Sequence, residues 1–526
     1  MEQVLSTFLF FGLYILGFLS LVGIGKLIYF SIHKNKISNF FEHSIYGLIL
    51  LVLIGYYFQI IFSGNFFLNI SIFITGLVSF FFYKKKYDNF KLKQLILLLI
   101  LLFSGLLISK THEDFNLYHF FSITELFQNN LRLGVNSLNN RFFHSSLFNY
   151  IQILYVFPFL SFKLIHFPIY YIYISVVGYF TYNIYYNKNK EENLFSVFTL
   201  ILLLIKFNRL SEFGYDYVSQ FLLLVVFHKI FFHNDNLEEF KKCTIILLLA
   251  IIIKPVSILF FPIYFYSFKN SIFLKLNNFD RYSKILIFLG IIIIISSSFF
   301  RTGCLFYPSI STCFDKNKIP WSEKEYLKEY SVVVKDFVKG FYHQNKTSYD
   351  KIENNKIYSS KYNWVKYWIE LHFFYKIFEF LIIILLIYLI SYIYFQRENQ
   401  INKLKKIFNQ KITLLFLSFV SIFFWFTLIP QFRFGFSFII IFTYLILNLK
   451  FNKNINFNIK KFNFLLMLVI IFFNFKNFSR INSELNREDI YKFNNFPYFN
   501  EKQIVIDYKN VKIKNFLIFK IIEKLK

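Results

Sequence analysis

LILLLILLFSGLLISKTHED, residues 95–114, passes from continuous hydrocarbon to two adjacent carboxylates within a few residues, and that passage decides the fold. An apolar run such as 95–108 belongs in a bilayer rather than in water. Glu113 and Asp114 then stand at the hydrocarbon edge. A carboxyl in such a place loses part of its hydration, which favours the protonated form and moves it towards the range where a carboxylate serves as a general base near neutral pH. The plain alternative is that the two acids simply mark the end of a span.

The whole chain agrees with a membrane reading. Its 526 residues are 56% hydrophobic with a mean hydropathy of +0.48, which excludes a water-soluble globule and indicates an all-α polytopic integral membrane protein. A net charge of +28 invites a nucleic-acid partner, but the lysines lie in short clusters between apolar runs instead of along one basic face. They report topology, and nucleic acid is not expected as a partner; the bilayer is. The 80 Phe and 38 Tyr belong to a bias that runs through the whole sequence, so they carry no stacking signal. No cleavable leader is expected, because the run 4–30 is long enough to remain a span.

Apolar runs at 4–30, 45–62, 66–83 and 95–108 are separated by breaks of unequal charge. Lys34 and Lys36 follow the first and Lys84, Lys85, Lys86, Lys91 and Lys93 the third, whereas Ser63, Gly64 and Asn65 between the second and third carry none. The positive-inside rule puts the lysine clusters in the cytoplasm and the acid stretch outside. Continued along the chain, the count is about fourteen spans over residues 1–475. It leaves a first outer loop at 109–166, a second at 301–372 and a polar tail at 476–526, also outside. Within the first loop, 147–164 reads as an interfacial helix lying on the outer membrane face.

Several polar islands fall on the outer side. The run 243–268 is interrupted by Lys254 and Pro255, which suits two short helices meeting at that face, with Lys254 turned into an outward cavity. Glu212 and Asp216 form a second acidic pair, and Arg301 and Arg433 border later spans. Cys304 and Cys313, with eight residues between them in one outer loop, are placed to form a disulfide in an oxidising compartment, while Cys243 falls on the opposite side. His112, His119 and His144 are too loosely spaced to define a metal site, which leaves the metal unknown.

Such a set suits a transferase acting on lipid-phosphate-linked sugars, which must deprotonate an acceptor hydroxyl while cations stabilise a departing phosphate. Four segments carry a resemblance: HEDFNLYHF at 112–120, RLSEFGYD at 209–216, TGCLFYPSISTCF at 302–314 followed by Trp321 and Ser322, and WFTLIPQFRFG at 425–435. In this order they resemble the GT-C superfamily of membrane glycosyltransferases, and within it a bacterial branch associated with surface polysaccharide. Glu113 stands where that branch usually has Asp, and Phe436 where a second Gly is common.

The resemblance implies a GT-C-like helical core, a polyprenyl-phosphate sugar as donor and a surface glycan or its lipid as acceptor. By it Asp114 is the general base, with Glu113 beside it, and Asp216 is a second acid that orients the acceptor or a metal. Lys254 and Arg433 hold the phosphate, with His119, Arg141, Glu212 and Arg301 completing the substrate-binding set. Some GT-C enzymes need no metal and others bind a divalent cation, so both stay open. The implied location is the bacterial inner membrane, with the site facing the periplasm. An O-antigen polymerase or ligase is the rival enzyme. A flippase or transporter is the rival non-enzyme, and it calls for mid-span charges and internal repeats.

Overall fold

The computed structural model describes residues 2–33, 39–82, 92–107, 114–144, 146–187, 189–207, 214–233, 236–266, 277–394, 396–398, 404–449, 454–456, 458–488, 496–498, 511–516 and 519–524. Helices dominate. They are α1 (Glu2–His33), α2 (Phe40–Ile61), α3 (Phe66–Phe82), α4 (Leu92–Leu106), α5 (Phe120–Gln128), α6 (Phe167–Tyr186), α7 (Lys190–Lys206) and α8 (Tyr215–His233). After them come α9 (Leu237–Ile253), α10 (Arg281–Thr302), α11 (Lys324–Lys339), α12 (Glu379–Tyr394), α13 (Leu404–Leu428), α14 (Phe432–Asn448) and α15 (Ile459–Leu485).

Among the described residues, seven helices are long and apolar enough to cross a membrane, and four shorter apolar ones accompany them. Their starts follow a common chemistry. Asn39, Asn189, Asn236, Asp280 and Asn458 each accept a backbone N–H from the first turn of α2, α7, α9, α10 and α15, filling donors that a helix cannot satisfy itself. The asparagine-rich loops of this chain are therefore helix starts as well as connectors.

α8 lies at the centre: 78% of its apolar window is buried inside the protein, against 22% for α15. It packs on α6, α9 and α14, and α2 packs on α1 and α6. The run 147–164 departs from the interfacial helix expected of it. It is broken into short helical turns, Asn149–Gln152 and Ile153–Tyr155, which are buried against α2. Asn149 and Gln152 face inward: Asn149 Nδ2 donates to Ser122 Oγ at 2.8 Å and Gln152 Nε2 to the Ile165 carbonyl at 3.0 Å. They are core partners of neighbouring segments, so no single wet face exists for a surface helix to present.

Residues 476–485, expected in the polar tail, continue α15. Beyond them β4 (Val511–Phe516) and β5 (Phe519–Lys524) form an antiparallel hairpin, and β5 pairs in parallel with β1 (Arg132–Leu133) through Lys520 and Ile521. A second small pairing joins β2 (Gln396–Glu398) to β3 (Asn454–Asn456). These strands are the part of the architecture that an all-α expectation omits.

Candidate functional site

α8 begins at Tyr215 because Gly214 turns the chain with φ +65°, a conformation that side chains other than glycine's resist. The first helical turn is then pinned by Tyr215, whose hydroxyl donates to Asn149 Oδ1 at 2.6 Å and also bonds Gln152 Oε1. This fixes the next residue, Asp216, at the end of the bundle.

Two cations from distant parts of the chain meet Asp216 there. Lys254 Nζ lies 2.9 Å from Oδ1 and Arg433 Nε 3.1 Å from Oδ2. Lys254 occupies the break foreseen between two helices: α9 stops at Ile253, Lys254 is extended, and Pro255 opens a 3-10 turn, Pro255–Phe260. Ser146 Oγ donates to the Ile253 carbonyl at 2.7 Å and secures the broken end.

The segment 425–435 reads, in the structure, as a device for aiming Arg433. Trp425 Nε1 donates to the Gln431 carbonyl at 2.9 Å, and Trp368 Nε1 to the carbonyl of Pro430. Gln431 Oε1 accepts from Arg433 Nε at 3.1 Å. Gly435 is required by the approach of Trp425, since a Cβ there would stand 2.4 Å from an indole carbon. One turn beyond each member of the ion pair, the buried Ser437 hydroxyl donates to Gln220 Oε1 at 2.6 Å. Asp216–Arg433 and Gln220–Ser437 are thus two successive rungs between α8 and α14.

The trio is open on one side. Side-chain exposure is 16% for Asp216 and 18% for Lys254 but 40% for Arg433, so the guanidinium is the member of the trio that a ligand can approach. His119 adjoins it, its ring 5.5 Å from that of Tyr215. Burial, and next the charge of Lys254, holds His119 well below the usual histidine range, so it is neutral near pH 7.

His119 ends a π-helical stretch, Phe115–His119, that Asp114 precedes. Its i to i+5 repeat brings Asp114 and His119 to the same side. Asp114 forms an ion pair with Arg141, whose guanidinium lies 5.9 Å from the Tyr118 ring centroid. Asp114 and Arg141 are a second acid–cation pair, in the segment between α4 and α6.

Arg301 is placed differently. Its Nε donates to the Ser297 carbonyl at 3.2 Å, and it lines a cavity of about 30 Å³, room for one water, together with Glu125, Arg132, Asn149 and Tyr150. Glu125 and Arg132 are ion-paired there at 3.2 Å. Glu113, Arg209 and Glu212 lie outside the described residues. Cys304 and Cys313 are joined as a disulfide, and Cys243 is a buried free thiol.

Among the described residues no group of three or more His, Cys, Asp or Glu side chains comes together to hold a metal. Asp216, the acid expected to orient one, is already shared by two cations. That donor set does not fit a divalent ion, and no step is derived through one. Gln220, Ser437, Trp368 and Trp425 are given no role by the sequence, although Trp425 opens one of the four segments that carry the resemblance. The first two could have been found by stepping one helical turn beyond Asp216 and Arg433.

Residues 6–440 match the model of a family described as a domain of unknown function, DUF8201, and the match contains Asp114, Asp216, Lys254 and Arg433. No curated protein and no solved structure matches the chain. A match over so much of the sequence identifies it: the chain belongs to the DUF8201 family.

Proposed function

We propose that this protein is a glycosyltransferase that moves a sugar from a polyprenyl-phosphate donor to a lipid-linked or surface-glycan acceptor. It acts at the periplasmic face of a bacterial inner membrane, with the four shorter apolar helices and α6, α7 and α9 crossing as well as the seven long ones, about fourteen spans in all. The observation that carries the reading is the Asp216–Lys254–Arg433 trio, assembled from three distant segments at one end of the helical bundle.

A polyprenyl phosphate leaves as an anion, so negative charge grows at the lipid head in the transition state. A fixed cation is worth more there than with the substrate at rest. Arg433 and Lys254 take this part, and Asp216 holds both in place between turnovers. Asp114 is the general base, aimed by its ion pair with Arg141, and neutral His119 donates or accepts a hydrogen bond to the sugar. No metal enters this scheme.

The test is complementation of a deletion strain, read by glycan analysis for one missing residue in a surface polysaccharide. Restoration by the wild type but not by Asp114→Asn or Arg433→Ala, at equal abundance, supports the reading. The loss expected at Arg433 is about 100-fold or more. Full transfer by Arg433→Lys together with full transfer by Lys254→Ala would remove both residues from the phosphate site and defeat the proposal.

A further inference from the structure

Two further lysines stand at the Arg433 side of the site. Lys206, the last residue of α7, places Nζ 5.6 Å from the ring centroids of both Phe380 and Phe432, and those rings are 4.9 Å apart. Phe432 immediately precedes Arg433. Lys376 is exposed and stands four residues before Phe380, whose ring packs against that of Phe432 next to Arg433. It sits in the other π-helical stretch found among the described residues, Ile369–Phe378. The two such stretches carry His119 and Lys376, and wide turns of this kind are found frequently at functional positions.

Lys206, Lys254, Lys376 and Arg433 come from four separate elements. Among the described residues Asp216 is the carboxylate that answers them, and its partners are Lys254 and Arg433. A lipid monophosphate ester of a sugar brings one negative charge to this cluster, whereas a diphosphate ester brings two, on phosphates far enough apart to engage separate cations. The surroundings suit a lipid head: Phe374, Tyr375 and Phe378, flanking Lys376 along the chain, are all exposed apolar surface.

We propose that Lys206 and Lys376 form a second phosphate subsite next to Arg433, and that the ligand is therefore a lipid diphosphate. This rests on the lipid-phosphate reading given above and narrows its substrate. The proximal phosphate meets Lys254 and Arg433, and the distal one meets Lys376 and Lys206, with the aromatic rings of Phe380 and Phe432 holding Lys206 by cation–π attraction.

The experiment is calorimetric titration of the full-length protein in nanodiscs with geranylgeranyl monophosphate, geranylgeranyl diphosphate and inorganic pyrophosphate. The wild type is expected to bind the prenyl diphosphate about tenfold more tightly than the monophosphate. Lys376→Gln and Lys206→Gln should each erode that preference while leaving the monophosphate affinity in place, and Lys206→Arg should retain it. Equal affinity for the two prenyl ligands, or a preference that survives in the double Gln variant, overturns the second subsite. Pyrophosphate binding as tightly as the prenyl diphosphate overturns the lipid assignment. If neither prenyl ligand binds, or Arg433→Gln changes neither affinity, the underlying reading fails and this one with it.

Discussion

The two ends of α8 carry charge in opposite ways. At the far end from Asp216, Lys229 lies 2.7 Å from both Glu42 and Glu239, and Lys242 lies 2.9 Å from the same two acids. Four residues from α2, α8 and α9 close a ring of alternating sign in which every cation meets two carboxylates and every carboxylate meets two cations. A separate chain of pairs runs from His33 through Glu238 to Lys241, and Lys241 reaches Asp280 at the start of α10. At the Asp216 end one carboxylate is shared by two cations, one of them 40% exposed. A closed ring answers every charge twice and ties helices together; the other end leaves a cation that solvent, and so an anion, can reach. The contrast separates a structural cluster from a binding one with no appeal to residue type, since both are built from the same acids and bases.

Breaking the ring gives the largest effect expected. Lys229→Met leaves Glu42 and Glu239 each short of a buried partner and should cost about 3–5 kcal/mol, read as a large fall in thermal stability in detergent and in cellular abundance. Asp216→Asn, at the open end, should barely shift the melting temperature. Equal destabilisation by the two variants would erase the distinction.

The next effect is one of pH. Burial pushes His166, just before α6, down to about 3, and it lies at the same end as His119. A histidine whose folded value is depressed contributes stability that is present above its ordinary value near 6.5 and lost as pH falls below it, because the unfolded chain takes up the proton first. Between pH 7.5 and 5.5, His166 alone should account for about 1.4 kcal/mol. The melting temperature should fall over that window, and His166→Phe should flatten the slope. An unchanged slope in the variant would show that this end is not a dry histidine site.

The smallest effect sharpens the open site. Gln220→Leu strands the Ser437 hydroxyl one turn from the Asp216–Arg433 pair and should cost about 1 kcal/mol of stability. Glycan transfer should fall by more than that loss explains, through misaimed Arg433. Activity that tracks stability alone would make the second rung a packing contact.

Much of the open site was legible in the sequence, and little of the ring was. Asp216, Lys254 and Arg433 each interrupt or border an apolar run, where a charge is costly and so attracts notice. Their meeting was not legible, because it depends on how helices far apart in sequence pack side by side. Glu42, Lys229, Glu239 and Lys242 sit among the lysine-rich connectors, and the positive-inside rule absorbed them as topology. Lys206 and Lys376 stand singly at the ends of apolar runs, with nothing in the sequence to bring them to notice. Asparagines at 39, 189, 236 and 458 look like compositional bias until they are seen capping helices. The interfacial helix expected at 147–164 failed because amphipathic composition cannot tell a wet face from one filled by Ser122 and Tyr215.

The pairing of β1 with β5 sets an order of events in biogenesis. Arg132 and Leu133 leave the ribosome early, but the strand they need, at Lys520 and Ile521, is made only after the helices between have been synthesised and threaded into the bilayer. The loop that carries Arg141 and borders the site is therefore left unfinished through most of translation. It closes when a segment outside the matched family region arrives to complete its edge.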